Sequence, residues 1–294
     1  MDLWEIRMEI PPAAAESTEQ LLLEAGNGAW SLLEDAIAKK AWVVGVFASD
    51  EDASKEMGTL LASLPAGVAA AVPPRHLPDS DWKHSYREHF KPWAFGRLHW
   101  VPVWEREKFV LPPGHQVLWL DPGMAFGTGN HETTRLCIER LVAYEADLQP
   151  GDAEQLSVVD AGCGSGILAL SAHLLGFRTV MGFDNDAEAV RVSLENAALN
   201  HLDGTVRFET AGLPEGLGAG DTDVVLANIQ SDILVRFAGA LAGAVAPGGL
   251  LAMSGILAAE AGTVQAAFLP LTGGWQRESR ALGEWCDVCL RRPL

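Results

Sequence analysis

Over roughly the first 75 residues the hydrophobic positions switch between a period of two and a helical period. LWEIRMEI (Leu3 to Ile10) alternates apolar and polar positions and predicts a strand. STEQLLLEAG (Ser17 to Gly26) sets leucines on one face, behind a Ser or Thr cap and ahead of a stopping glycine, and predicts a helix. AWSLLEDAI and AWVVGVFAS predict two more strands, and Glu51 to Leu64 a second amphipathic helix ended by Pro65 and Gly67. VAAAV then reads as a closing strand. Strand, helix, strand, strand, helix, strand is the split order of a ferredoxin-like α+β domain, a fold that hosts many functions and names none.

PPRHLPDSD, punctuated by Pro73, Pro74 and Pro78, begins a linker. Trp82, Tyr86 and Phe90 then fall on one face of a short predicted helix that stops before Pro92; such an aromatic face most often packs on a neighbouring domain, and an arm that contacts ligand or substrate is the alternative. Beyond Gly96 the pattern changes. RLHWVPVW and QVLWLD are strand-like, and from Ser157 apolar runs (SVVDA, TVMGFD, TVRFE, DVVLAN, GLLAMS) alternate with helical patterns, with EWCDVCL as a last strand. That alternation predicts an α/β domain, a Rossmann-like, doubly wound and mainly parallel sheet covered on both faces. The chain therefore divides into residues 1–75, a linker at 76–95 and a larger domain at 96–294.

Composition narrows the class. At 294 residues and 48% hydrophobic content the chain has ample material for packed cores. Asp and Glu outnumber Lys and Arg 39 to 21, a formal charge of -18. Such a surface disfavours nucleic acid and anionic membranes and suits a basic partner, while also serving solubility. No basic region precedes a hydrophobic run at the N-terminus, and no stretch reaches membrane-spanning length, so neither a secretion signal nor a membrane segment is expected. Four cysteines are too few for a disulfide framework and favour a reducing compartment. Cys286 and Cys289 form a C-x-x-C with no second pair, so no metal site is expected there.

The candidate chemistry sits where strands are predicted to end, the place where an open α/β sheet binds its ligands. SVVDA runs into Asp160-Ala-Gly162-Cys-Gly164-Ser-Gly166, whose glycines allow a tight turn and a close approach by a cofactor. The G-x-G-x-G spacing is one residue shorter than that of dinucleotide binders, which favours a cofactor without phosphates. TVMGFD ends at Asp184, about 20 residues on, at the distance where a carboxylate accepts from both ribose hydroxyls of an adenosine; helix capping is the alternative there, and more so at Asp186. DVVLAN ends in Asn228, either a helix cap or an amide that orients an amine toward an electrophilic methyl group.

These three features resemble the S-adenosylmethionine-dependent methyltransferases with a doubly wound sheet. DPGMAFGTGNHETT (Asp121 to Thr134) narrows the resemblance to the ribosomal protein L11 methyltransferase family, whose D-P-G-x-A-F-G-T-G-x-H-x-T-T segment precedes its glycine loop. GCGSGILAL, the Asn-Ile at DVVLAN, PGG, SGIL and the late EW extend the resemblance over most of the chain. It implies S-adenosylmethionine as cofactor, bound by Thr134, Gly162, Asp184 and Asn228, with Gly164 in the glycine loop and Phe126 and Gly127 lining the same pocket. His131 lies in the segment without a derived role. It also implies methyl transfer to lysine side chains and the α-amino group of ribosomal protein L11, with Asn228 as the catalytic residue and the N-terminal domain gripping the substrate; a monomer is expected, and the cysteine usage places it in the cytoplasm. One departure stands out. Where the family reads N-I-L-A-x-P-L, this chain has Asn228-Ile-Gln-Ser-Asp-Ile, so a same-fold methyltransferase acting on another protein or a small amine is the alternative. An NAD-dependent oxidoreductase and a non-catalytic binding module are the more distant readings.

Overall fold

The computed structural model describes residues 3–15, 18, 21–22, 30–35, 40–65, 67–77, 91–121, 132–218 and 221–294. Two compact units emerge, residues 1–90 and 91–294.

In the first unit, β1 (Leu3–Ile10), β2 (Trp30–Asp35), β3 (Lys40–Phe47) and β4 (Arg75–Leu77) form one sheet in the order β2-β3-β1-β4. Every pairing is antiparallel, the strand order of a ferredoxin-like sheet. Alternation decides which face is covered: Ile6, Met8 and Ile10 of β1 join Ala41, Val43 and Phe47 of β3 in a core that includes Ala53 and Leu60 of α1 (Asp50–Ser63). Ser49 caps α1 by accepting the Asp52 N–H at 3.1 Å. Of the predicted first helix only Thr18, Leu21 and Leu22 are described, all helical. The aromatic helix predicted from Trp82 to Phe90 lies outside the described residues.

The expected closing strand is corrected. VAAAV forms no strand; pairing instead begins after Pro73 and Pro74, at Arg75. Alanine is a weak strand former and proline supplies no N–H to a ladder. At Arg75 to Leu77 specific partners take over: Arg75 pairs with Glu5 in register and by charge, and the His76 ring meets Trp4 edge-on.

The second unit opens with β5 (Trp93–Phe95) and β6 (Leu98–Pro102), an antiparallel pair, and β7 (Gln116–Leu120), parallel to β6. The run RLHWVPVW thus stops being strand at Pro102 and turns into a short 3-10 segment at Val103–Glu105. The main sheet holds β8 (Ser157–Ala161), β9 (Thr179–Asp184), β10 (Arg207–Thr210), β11 (Thr222–Asn228), β12 (Val245–Leu257), β13 (Gln276–Glu278) and β15 (Trp285–Arg291), in the order β10-β9-β8-β11-β12-β15-β13. β14 (Ala281–Leu282) pairs with β15 beside it. From β10 to β12 the strands are parallel; β15 and β13 add antiparallel partners.

Strand alternation feeds two cores. Val224 and Leu226 of β11 face a core shared with α2 (Glu132–Ala146), α3 (Ile167–Leu174) and α4 (Ala187–Leu199). Val225 and Ala227 face the opposite core, built with α5 (Leu213–Leu217), α6 (Ser231–Arg236), α7 (Ala238–Ala244) and α8 (Ala261–Phe268). Cys286 packs on one side of β15 and Cys289 on the other, so the C-x-x-C cannot converge on one ligand. After β8 the chain winds outward through β9 and β10, then returns to place β11 on the other side of β8. The carboxyl ends of β8 and β11 therefore flank the switch in strand order, where such sheets bind ligands. Among the described residues no helix is long and apolar enough to cross a membrane.

Candidate functional site

The loop after β8 is held from beneath by the neighbouring strand. Gly162 and Cys163 both donate their N–H groups to the Phe183 carbonyl, at 2.8 and 2.9 Å. Gly162, Gly164 and Gly166 all adopt positive φ, which only glycine takes without strain. Side chains from α4 fasten the outer turn: Ser193 donates to the Gly164 carbonyl at 2.9 Å and Asn196 to the Ser165 carbonyl at 2.9 Å. The loop is thus held by hydrogen bonds from β9 and α4.

Asp184, at the end of β9, faces this loop. Its Oδ2 accepts the Gly164 N–H and its Oδ1 the Asp186 N–H, both at 3.0 Å. A carboxylate has about four acceptor positions, so each oxygen keeps one for a ligand hydroxyl. Asp186 takes the capping role, accepting the Glu188 N–H at 2.9 Å at the head of α4. Of the two acids that sequence left open between capping and binding, Asp186 is the one that caps α4.

Asn228 ends β11, and its Nδ2 donates to the Thr134 hydroxyl on α2 at 3.2 Å. Thr134 is almost wholly buried. Residues 94 positions apart in sequence meet here. The turn that follows Asn228 is squeezed between two glycines. A Cβ on Gly162 would stand 2.4 Å from Ile229 Cγ2, and one on Gly255, at φ 81, 2.4 Å from the Ile229 carbonyl oxygen. Ser231, the first residue of α6, donates to the Glu260 carboxylate at 2.5 Å, so the departure from the family pattern is occupied by a polar contact. Phe126, Gly127 and His131 lie outside the described residues.

Asp160, the last polar residue before the glycine loop, was read from sequence only as part of a strand end. It is buried in the sheet, its Oδ2 accepts the Ala169 N–H at 3.1 Å, and its Oδ1 has no partner among the described residues. Burial pushes its carboxyl up to about 7; the Ala169 hydrogen bond opposes the rise and the Asp184 charge adds to it. An acidic residue closing an apolar strand just before a glycine loop was the available signal. What sequence could not show was that one oxygen is left unmatched.

A family model described as ribosomal protein L11 methyltransferase (PrmA) matches residues 2–293. A protein of Trichlorobacter lovleyi named ribosomal protein L11 methyltransferase is 44% identical over 235 residues, which cover 79% of this chain and 75% of that protein. One of the same name from Azotobacter vinelandii is 39% identical over 284 residues, covering 90% and 91%. The crystal structure of a ribosomal protein L11 methylase from Lactobacillus delbrueckii subsp. bulgaricus superposes with a TM-score of 0.59 at 29% identity, covering 70% of this chain and all of that one. Many transferases share a doubly wound sheet with a glycine loop at its switch point, but this match runs through both units from residue 2 to residue 293, and so the chain belongs to the ribosomal protein L11 methyltransferase family.

Proposed function

We propose that this protein transfers methyl groups from S-adenosylmethionine to amino groups of ribosomal protein L11, at lysine side chains and the α-amino terminus. The observation that carries the reading is the hydrogen-bonded meeting of Asn228 and Thr134 at the switch point, in a chain matched along its length by one methyltransferase family. The residues suit the donor. A buried carboxylate with an unmatched oxygen, Asp160, fits a cationic amino acid moiety, and the free acceptor positions of Asp184 fit a ribose diol. Gly162 and Gly164 would let it approach the backbone, and Thr134 and Asn228 would flank it, with Phe126 and Gly127 lining the same pocket.

When bound, the donor supplies a methyl group on a cationic sulfur, which leaves as a neutral thioether. The protein's own task is position. With Nδ2 committed to Thr134, the acceptor on Asn228 is Oδ1, which takes an N–H of the incoming amine and aims its lone pair at the methyl carbon. A lysine with a pKa near about 10.4 arrives protonated. Desolvation lowers that value, and water accepts the proton before the new N–C bond forms. No dedicated base is required.

In this reading residues 1–75 recognise the substrate protein, 76–95 link, and 96–294 catalyse. The enzyme works as a cytoplasmic monomer without nucleic acid or membrane contacts. Mass spectrometry of unmethylated L11 incubated with the protein and S-adenosylmethionine tests it, with Asp184→Ala in parallel. Methyl additions that vanish in the variant are expected. An unchanged substrate alongside intact cofactor binding would redirect the assignment to another acceptor, with the Gln230-Ser-Asp-Ile segment as the place to look.

A further inference from the structure

Beneath α2, away from the glycine loop, lies a charge network that the transfer itself does not use. Asp287 occupies a core-facing position in the middle of β15 and is fully buried. Two guanidiniums close on it. Arg140 of α2 donates through Nε to Oδ2 at 2.8 Å and through an Nη to Oδ1 at 3.0 Å, and Arg280 donates through Nε and an Nη to Oδ2 at 3.2 and 3.1 Å. The Arg280 backbone N–H adds a bond to Oδ1 at 2.7 Å. Arg140 also reaches Glu278 at 2.5 Å, while Arg280 reaches Glu139 at 3.2 Å and the Leu136 carbonyl at 3.3 Å. Burial works against the charge on Arg140, but the hydrogen bonds and charge of Asp287 outweigh it and hold the guanidinium protonated.

A buried ion pair of this kind contributes little net stability, because apolar side chains of similar size hold a core at least as well. What it supplies is direction. Between the network and the buried Thr133 and Thr134, the packed face of α2 is mainly apolar, with Cys137, Ile138, Leu141 and Tyr144 in the core, and contacts of that type fix depth better than rotation or register. The network grips residues 136, 139 and 140 of α2, the last of them about 9 Å along the axis from Thr134. Thr134 is in turn the partner of Asn228.

We infer that Asp287, with Arg140 and Arg280, is a positioning residue for methyl transfer: it sets the register of α2 so that the Thr134 hydroxyl meets Asn228. The inference rests on the reading of Asn228 and Thr134 as parts of the transfer site. Because the network acts through α2, replacing its central buried pair, Arg140 and Asp287, with apolar side chains of similar volume separates fit from direction.

The test compares wild type, Asp287→Asn, the paired apolar exchange Arg140→Met with Asp287→Leu, and each of these with Thr134→Ala. Melting temperature, S-adenosylmethionine Kd by calorimetry and kcat on L11 are read for all. The paired exchange is expected to keep the melting temperature near wild type while kcat falls by about tenfold or more, the scale of small misplacements at a reacting centre. In the Thr134→Ala background the same exchange should cause little further loss. Wild-type kcat and Kd in a stable paired variant, or full additivity with Thr134→Ala, would overturn the inference. If the paired exchange lowers the melting temperature instead, Asp287→Asn with and without Thr134→Ala decides by the same additivity, read below both transitions. Should wild type leave L11 unmethylated, the cofactor Kd still reads the coupling, so failure of the acceptor assignment and failure of this inference remain distinct.

Discussion

At the scale of single residues, Asp160 offers a test of the proposed donor site through its electrostatics. Its carboxyl is raised to about 7 by burial, against about 3.8 in the unfolded chain, so the fold keeps the proton to higher pH than the unfolded chain does. The linkage follows. Its contribution to stability is complete below about pH 3.8, declines as pH rises toward 7, and is flat above that. A cationic ligand group at Oδ1 requires the ionised form, so affinity should run the other way. S-adenosylmethionine is expected to bind more tightly as pH rises from about 5.5 to about 7.5, and calorimetry should find that trend abolished in Asp160→Asn. A flat wild-type profile would remove Asp160 from the cofactor site. Gly162 answers a separate question. An alanine there meets both a positive φ and the Ile229 side chain, and should cost about 1 to 3 kcal/mol by urea denaturation. Adding Ile229→Ala should recover only part of that loss, because space returns and the backbone strain does not.

Among elements, the strand leading to the glycine-rich stretch at residues 121–134 has an unusual anchor. Asn200, at the C-terminal end of α4, accepts the Trp119 N–H at 2.7 Å and donates to the Trp119 carbonyl at 2.9 Å, acting as one residue of a neighbouring strand for the open edge of β7. Arg106 stacks over the Trp119 ring at 4.9 Å and reaches the Leu199 carbonyl at 3.3 Å, closing the same junction. Asn200→Ala should cost about 1 to 3 kcal/mol and selectively lower hydrogen-exchange protection at the Trp119 amide. Periodicity showed β7 and α4 but not this bond, since side-chain to backbone pairing between distant segments leaves no periodic trace. For the same reason β13 and β14, short and paired only with β15, escaped the pattern, and VAAAV outbid Arg75 to Leu77 on apolarity alone. Elements whose identity depends on partners are those that a linear reading misplaces. The strands carrying Asp160, Asp184 and Asn228 were legible because each is a short, mostly apolar run with its acidic or amide residue at or next to its carboxyl end.

For the molecule as a whole, charge gives a way to test the proposed division of labour between the two units. A chain carrying -18 holds a long-range field that attracts a basic protein at a distance and loses reach as salt shortens the screening length. The donor meets its site over a few ångströms of matched contacts, where salt has little purchase. Methylation of L11 should therefore show kcat/KM falling as ionic strength rises from about 10 to about 300 mM, while the S-adenosylmethionine Kd and the kcat at saturating L11 change little. Charge reversal on the first unit sharpens the test, because Glu5 and Glu9 sit on the strand face opposite its core, already beside Arg75 and Lys40. If residues 1–75 recognise the substrate, Glu5→Lys with Glu9→Lys should raise KM for L11 and flatten its salt dependence, leaving cofactor affinity intact. Equal salt slopes in the variant and wild type would mean that steering comes from the larger unit, and the recognition role of the first would then have to rest on shape.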